Sequence, residues 1–231
     1  MLRAASFRLD SSGSGLLTAG IVVSRAADAS AIVDLLSGAS RPAYGQLRVL
    51  GEDLTTAHGR HAARERVGVA RRRMSLPPGR VRGLAKHAGR LPRLPASDRD
   101  LLVASVLDRL ALTPWADVPL RAAPELISRR ARLAAAAVHQ PDLLLLDGLL
   151  DGLAPRDQAA LADAVRDLAR DTAIVAMGQD AKALALVSDQ LLTLCHGVLT
   201  APGAGPGLVA RGSVLGCDGP WPGKRPDHRG S

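Results

Sequence analysis

Apolar residues in this chain come in short solid runs separated by helical-period stretches and turn residues. The sharpest run is Gln140-Pro141-Asp142-Leu143-Leu144-Leu145-Leu146-Asp147-Gly148, an apolar block closed by an acid. A block of this length between turn residues reads as a parallel strand buried on both faces. An Asp at its carboxyl end sits where open α/β sheets place their ligands. Residues 6–23 suggest two strands around the turn Ser11-Ser12-Gly13-Ser14-Gly15, the second spanning 16–23. A helix over 29–37 is stopped by Gly38, and a turn at 41–45 leads into a strand over 46–51. Residues 55–100 are Arg-rich and broken by Pro77-Pro78-Gly79.

Further on, Leu101, Leu102, Ser105, Val106, Arg109 and Leu110 keep helical spacing and predict a helix over 97–112. Another is expected over 128–138, before Pro141 resets the backbone. Pro155 opens a third, with Leu161, Val165 and Leu168 on one face. A strand over 172–177, a helix over 181–187 and a strand over 190–194 complete the series. His196-Gly197 then turns the chain toward Val198-Leu199. Residues 201–231 change to Gly, Pro and scattered charge and read as a flexible tail. The pattern is α/β: a sheet with flanking helices in one domain over 1–200, with a small helical subdomain over about 75–135.

Composition narrows the function classes. Phe7, Tyr44, Trp115 and Trp221 are the only aromatics, so the core is built from Ala, Leu and Val. Two cysteines, Cys195 and Cys217, form neither a disulfide framework nor a metal-ligand spacing, which fits a reducing cytoplasm. The six histidines show no ligand spacing either and read as surface or loop residues. No signal-peptide core and no run of 18 apolar residues is present, so neither secretion nor membrane spanning is expected. The net charge of +8 is concentrated: between Arg60 and Arg93 lie ten Arg and one Lys against the single acid Glu65. Such a run reads first as a solvated face, then as a surface for phosphate-rich or acidic partners. Specific nucleic-acid modules are disfavoured, because no aromatic stacking platform lies within the run.

The order and spacing of these pieces resemble the ATP-binding cassette ATPases, the nucleotide-binding subunits of ABC transporters. The resemblance runs from about residue 6 to 200 and implies a P-loop NTPase fold. Leu35-Leu36-Ser37-Gly38, Arg41-Pro42, Gly45 and Val49-Leu50-Gly51-Glu52-Asp53-Leu54 resemble the segment after the phosphate loop. Arg66-Val67-Gly68-Val69 with Ser75-Leu76-Pro77-Pro78-Gly79 resembles the strand and loop around the Q-loop. Leu143 to Asp147 with Asp151-Gly152-Leu153-Ala154-Pro155 resembles the Walker B and D-loop region, and Ile174 to Asp180 the switch strand.

At the positions that the resemblance assigns to chemistry, the residues differ. The phosphate loop falls at Val23-Ser24-Arg25-Ala26-Ala27-Asp28-Ala29-Ser30, followed by Ala31. A working loop needs glycines whose N–H groups turn around phosphates, and a Lys that reaches them. Val23, Ala26 and Asp28 hold the Gly positions and Ala29 the Lys position; Ser30 alone remains. The Q-loop Gln is Arg72, the water-activating Glu is Gly148, the switch His is Gln179 and the D-loop Asp is Ala154. The signature loop reads Ala123-Pro124-Glu125-Leu126-Ile127, where Pro124 has no N–H to donate. Each lost charge-assisted contact costs ~1.5–3 kcal/mol, against about −8 kcal/mol for micromolar binding. The resemblance also implies an earlier strand with an adenine-stacking aromatic, which the chain as given is expected to lack.

Three readings follow. The first is a degenerate ABC subunit, non-hydrolytic, acting as a scaffold or regulatory partner of a permease or cytoplasmic protein. It would be cytoplasmic or peripheral on the inner membrane face, dimerising with itself or with an intact subunit. No cofactor is expected there, and Arg71, Arg72, Arg73, Arg80 and Arg82 are read as facing the partner. The second is an ATPase subunit that uses ATP and Mg²⁺, with Ser30 and Asp147 as metal ligands and Arg25, Ala26, Ala27, Asp28, Ala29, Ala31, Arg72 and Gln179 around the nucleotide. The third is a basic module for nucleic acid or anionic membrane. Asp147 and Ser30 also have plainer readings, as a turn cap and a helix N-terminal residue.

Overall fold

The computed structural model describes residues 18–74, 78–86, 95–195 and 198–200. The strand expected before residue 16, the His196-Gly197 turn and the segment 201–231 lie outside these. The described chain builds a six-stranded sheet with helices on both faces. Its strands are β1 (Thr18–Val23), β4 (Val67–Arg71), β5 (Leu143–Asp147), β6 (Ala173–Gly178), β7 (Gln190–Cys195) and β8 (Val198–Thr200). They lie in the order β4-β5-β6-β1-β7-β8, and every pairing is parallel except β7 with β8.

Why the leucine run is a strand follows from its two faces. Leu144 and Leu146 enter one core beneath α5 (Glu125–Ala137) and α6 (Pro155–Leu168), with Leu133, Leu161, Val165 and Ile174. Leu143 and Leu145 enter the other beneath α1 (Ala26–Leu36), with Ile21, Ile32, Val33 and Met177. Alternate side chains of a strand point to opposite faces, so only an all-apolar strand satisfies two cores at once. α3 (Val81–Lys86) and α4 (Ala96–Arg109) pack with α5 on the first face, and α7 (Ala181–Ala185) follows β6.

Several expectations need correction. The predicted strand over 46–51 is a hairpin, β2 (Arg48–Val49) against β3 (Glu52–Asp53). Leu50 and Gly51 carry φ of 53° and 85° between the two strands, the paired positive values of a tight hairpin turn. Over 97–112 the buried face is Val103, Val106, Leu107 and Leu110, while Leu101 is 70% exposed. α5 starts at Glu125, three residues before the expected Ser128, because Pro124 suits the position just before a helix.

α2 (Ala57–Arg66) has no apolar stripe and was not foreseen. It is held by other means. Thr56 Oγ1 accepts from Gly59 N at 3.0 Å, and a Cβ on Gly59 would lie 2.1 Å from Asp53 O, so the helix packs there only through glycine. Its arginines reach back into the protein: Arg60 to the carbonyls of Leu54 and Thr55, Arg64 to Gly38 O at 2.9 Å, Arg66 to Asp142 at 2.6 Å. The start of the Arg-rich run is therefore stitching, not a free solvated face.

Candidate functional site

Four parallel strands end side by side. Arg71, Asp147 and Met177 are in register across β4, β5 and β6, and Val22 of β1 pairs with Gly178. Their loops meet at one edge of the sheet, where the sequence placed the candidate residues.

The phosphate-loop segment departs most from expectation. Between the end of β1 at Val23 and the start of α1 at Ala26 lie only Ser24 and Arg25. The positions expected to wrap phosphate, from Ala26 to Ser30, are turns of α-helix. Alanine is the best helix former, and no glycine interrupts the segment. The two-residue connection is closed by Asp28 N donating to Arg25 O at 3.0 Å and by a bidentate Arg25–Asp28 pair at 2.8 and 3.0 Å. That pairing holds the Asp28 carboxyl below its ordinary range.

Ser30 and Asp147, 117 residues apart, are brought together: Ser30 Oγ donates to Asp147 Oδ2 at 2.8 Å. Asp147 is buried, and Arg71 Nη1 lies 3.9 Å from the same oxygen while its Nη2 pairs with Asp34. Burial pushes the Asp147 carboxyl above its ordinary range; Ser30 and Arg71 oppose that, and Asp34 and Asp151 add to it. The ionised form therefore weakens the fold at neutral pH, and the penalty lifts as pH falls through the raised value. Asp147→Asn, neutral at every pH, should melt no lower than the parent at pH 7. Any advantage should vanish below about pH 4, as thermal melts at the two pH values would report.

Arg72 closes the other side. Its N–H donates to Asp147 O at 2.8 Å, and its side chain lies over Gly148 and Gly152. A Cβ on Gly152 would sit 2.9 Å from Arg72 Nη2, and one on Gly148 3.6 Å from Arg72 Cβ. Gln179 Nε2 donates to Ser24 O at 2.9 Å, tying the switch position to the shortened loop. The space left between Ala29, Ser30, Arg71, Arg72, Asp147 and Gln179 measures about 80 Å³.

Two residues to which sequence reading gives no role of their own, Asp151 within the D-loop resemblance and Arg129, organise this edge. Asp151, buried, accepts from Gln179 N at 3.1 Å and from Asp180 N at 3.3 Å. Arg129 on α5 is 2% exposed and donates to the carbonyls of Gly148 (3.1 Å), Leu149 (2.8 Å) and Asp151 (3.4 Å). Its Nε pairs with Glu125 at 2.6 Å, one helical turn earlier. That i,i+4 spacing was the only sequence signal for Arg129, and it is equally the mark of a surface pair.

The five arginines read as partner-facing separate into different places. Arg71 turns inward to Asp34 and Asp147, and Arg72 lies on Gly152. Arg73 is exposed beside the same small cavity. Arg80 and Arg82 are exposed and share Asp117, Arg82 Nη2 lying 2.6 Å from it and Arg80 Nη1 3.7 Å. Among the described residues no group of His, Cys, Asp and Glu is placed to hold a metal ion, and no helix is long and apolar enough to cross a membrane.

No protein-family model matches the chain. Among curated proteins it is similar to the Nod factor export ATP-binding protein I of Burkholderia lata, 29% identical over 201 residues. That alignment takes in 86% of this chain and 65% of the relative's length. It is also similar to the hemin import ATP-binding protein HmuV of Rhodopseudomonas palustris, 30% identical over 205 residues, covering 84% of this chain and 77% of the relative. Among solved structures, cbiO1 of Clostridium perfringens, part of the ABC transporter complex cbiONQ, superposes with a TM-score of 0.71 at 18% identity, over 79% of this chain and 74% of cbiO1. The dimeric ATP-binding cassette MJ0796 bound to ADP and Pi gives 0.71 at 12% identity, over 87% of this chain and 90% of its own. Both structures share the P-loop NTPase fold of this sheet, and with the HmuV match over most of both chains, the protein belongs to the family of ABC transporter ATP-binding subunits.

Proposed function

We propose that this subunit has lost ATP hydrolysis and acts as a non-hydrolytic scaffold or regulator of a permease or cytoplasmic protein. The observation that carries this reading is the two-residue Ser24-Arg25 connection, which runs straight into helix where a phosphate would need inward-turned N–H groups. The residues present do not fit a nucleoside triphosphate with Mg²⁺. The remaining space of about 80 Å³ is far below the roughly 300 Å³ at which ligand pockets begin. The Arg72 side chain lies over the glycines bordering it, and the Lys position is Ala29 inside a helix. At the position of a water-activating Glu stands Gly148 with φ of 62°.

Partnership with a permease, and dimerisation with itself or an intact subunit, extend to this chain what is known of cbiO1 in its complex and of the MJ0796 dimer. A second reading, an ATP-binding and hydrolysing subunit, draws on one feature: Ser30 and Asp147, the two groups that would hold Mg²⁺, remain in contact. Titration with a fluorescent ATP analogue and Mg²⁺ separates the readings. The first expects no competable binding up to about 1 mM ATP. The second expects micromolar binding and turnover that disappears in Asp147→Asn.

A further inference from the structure

Two strand alternations and one helical turn converge beside Asp147. Val67, Val69 and Arg71 alternate along β4, and Leu143, Leu145 and Asp147 along β5. The first two residues of each set lie in the core beneath α1 or pack against it, so Arg71 and Asp147 point to that same side. They are direct neighbours across the ladder. From α1, Ser30 and Asp34 stand one turn apart and face the same place.

The result is one cation among oxygen groups. Arg71 Nη2 pairs with Asp34 Oδ1, and its Nη1 lies 3.9 Å from Asp147 Oδ2, which also accepts from Ser30 Oγ at 2.8 Å. Asp34 is close enough to Asp147 to disfavour its charge, so the guanidinium separates two carboxylates that repel each other. The other acids at this edge have different partners. Asp28 pairs with Arg25, and Asp151 accepts from the N–H groups of Gln179 and Asp180. The end of β4 is anchored apart from this pair, since Arg71 O receives Arg132 Nη1 at 3.2 Å. Two carboxylates and a hydroxyl are oxygen ligands of the kind that Mg²⁺ and Mn²⁺ take, completed by water.

We infer that the Arg71 guanidinium is the permanent cation of this site: it stands in for a divalent ion between Asp34 and Asp147 and excludes one by charge and volume. The ends of β4, β5 and α1 are thereby held in one arrangement whether or not metal or nucleotide is present, as a scaffold requires. The proposal deepens the proposed function and rests on its premise that no Mg²⁺ is held here, not on its choice of partner.

The test measures Mn²⁺ uptake by the full chain without nucleotide, from the electron paramagnetic resonance signal of the free ion, beside thermal melts at neutral pH. The parent should take up no Mn²⁺ to about 1 mM, and its melting temperature should not respond to the ion. Arg71→Gln should melt lower than the parent in chelator and bind Mn²⁺ at least about tenfold more tightly than the parent. It should regain about 3 °C at about 1 mM Mn²⁺. Adding Asp34→Asn to Arg71→Gln should abolish the uptake, and Arg71→Lys, which keeps the charge, should bind none. Arg71→Ala is a second variant read in the same way. If neither neutral variant folds even when purified in Mn²⁺, a free ion cannot replace the side chain and the proposal fails. Uptake by the parent equal to that of Arg71→Gln would overturn it too, as would no uptake by Arg71→Gln or uptake that survives Asp34→Asn. ATP titration of the parent reports on nucleotide use separately. ATP binding beside the expected Mn²⁺ pattern refutes the loss of nucleotide use alone, and a failed Mn²⁺ pattern without ATP binding refutes the role of Arg71 alone.

Discussion

Arg129→Met should lower the melting temperature by about 10 °C, the largest stability loss expected from a single side chain here. Arg129 is buried beneath the β5–α6 loop and satisfies three carbonyls in it, those of Gly148, Leu149 and Asp151. Methionine fills much of the volume but leaves Leu149 O and Asp151 O without the Arg129 donor, while Gly148 O keeps Asp151 N–H at 3.1 Å. Each orphaned buried acceptor costs ~1–3 kcal/mol, and a chain of this size loses about 2–4 °C per kcal/mol. Arg129→Lys keeps one point donor and should fall between. Glu125→Gln should cost little, because Glu125 is 63% exposed and its pair with Arg129 is screened. Differential scanning calorimetry of the three variants checks the order. A loss for Glu125→Gln as large as for Arg129→Met would mean that the ion pair, not the carbonyl clamp, holds the loop.

Gly148→Glu, which puts back the residue that the family's chemistry would require, is expected to yield no ATPase activity and a less stable protein. The backbone at 148 has φ of 62°, a left-handed conformation that costs an L side chain about 1–2 kcal/mol. A Cβ there would lie 3.3 Å from Asp151 Oδ2, which directs the new carboxylate toward an existing acid. Asp151 is engaged with the N–H groups of Gln179 and Asp180 and cannot turn away without releasing them. The expected loss is about 2–4 kcal/mol, measured by urea denaturation beside a coupled-enzyme turnover assay. Turnover appearing in Gly148→Glu would mean that a single residue separates this chain from an ATPase.

The sheet was legible because its strands are apolar runs. Leu143 to Asp147 announced β5, and Pro155 with Leu161, Val165 and Leu168 announced α6. α2 was not legible, because its stability comes from Thr56, Gly59 and arginines bonded to distant carbonyls, none of which makes a periodic pattern. The hairpin at Leu50-Gly51 hid inside what read as one strand, since two-residue strands carry no alternation. At the site, Ser30, Arg72, Asp147 and Gln179 were named from sequence and do meet. The helical start at Ala26 was missed because the expected loop borrowed the register of a glycine-rich segment. The roles of Asp151, named only within the D-loop segment, and of Arg129 were not legible, because their partners are backbone atoms of remote loops, which side-chain patterns do not encode.

The measurement that bears most directly on the central claim is equilibrium titration of the purified chain with a fluorescent ATP analogue and Mg²⁺, competed with unlabelled ATP. A connection of two residues leading into helix, with Arg72 lying over Gly148 and Gly152, predicts no competable binding up to about 1 mM. Competable binding in the micromolar range would contradict the account and make this an ATP-using subunit.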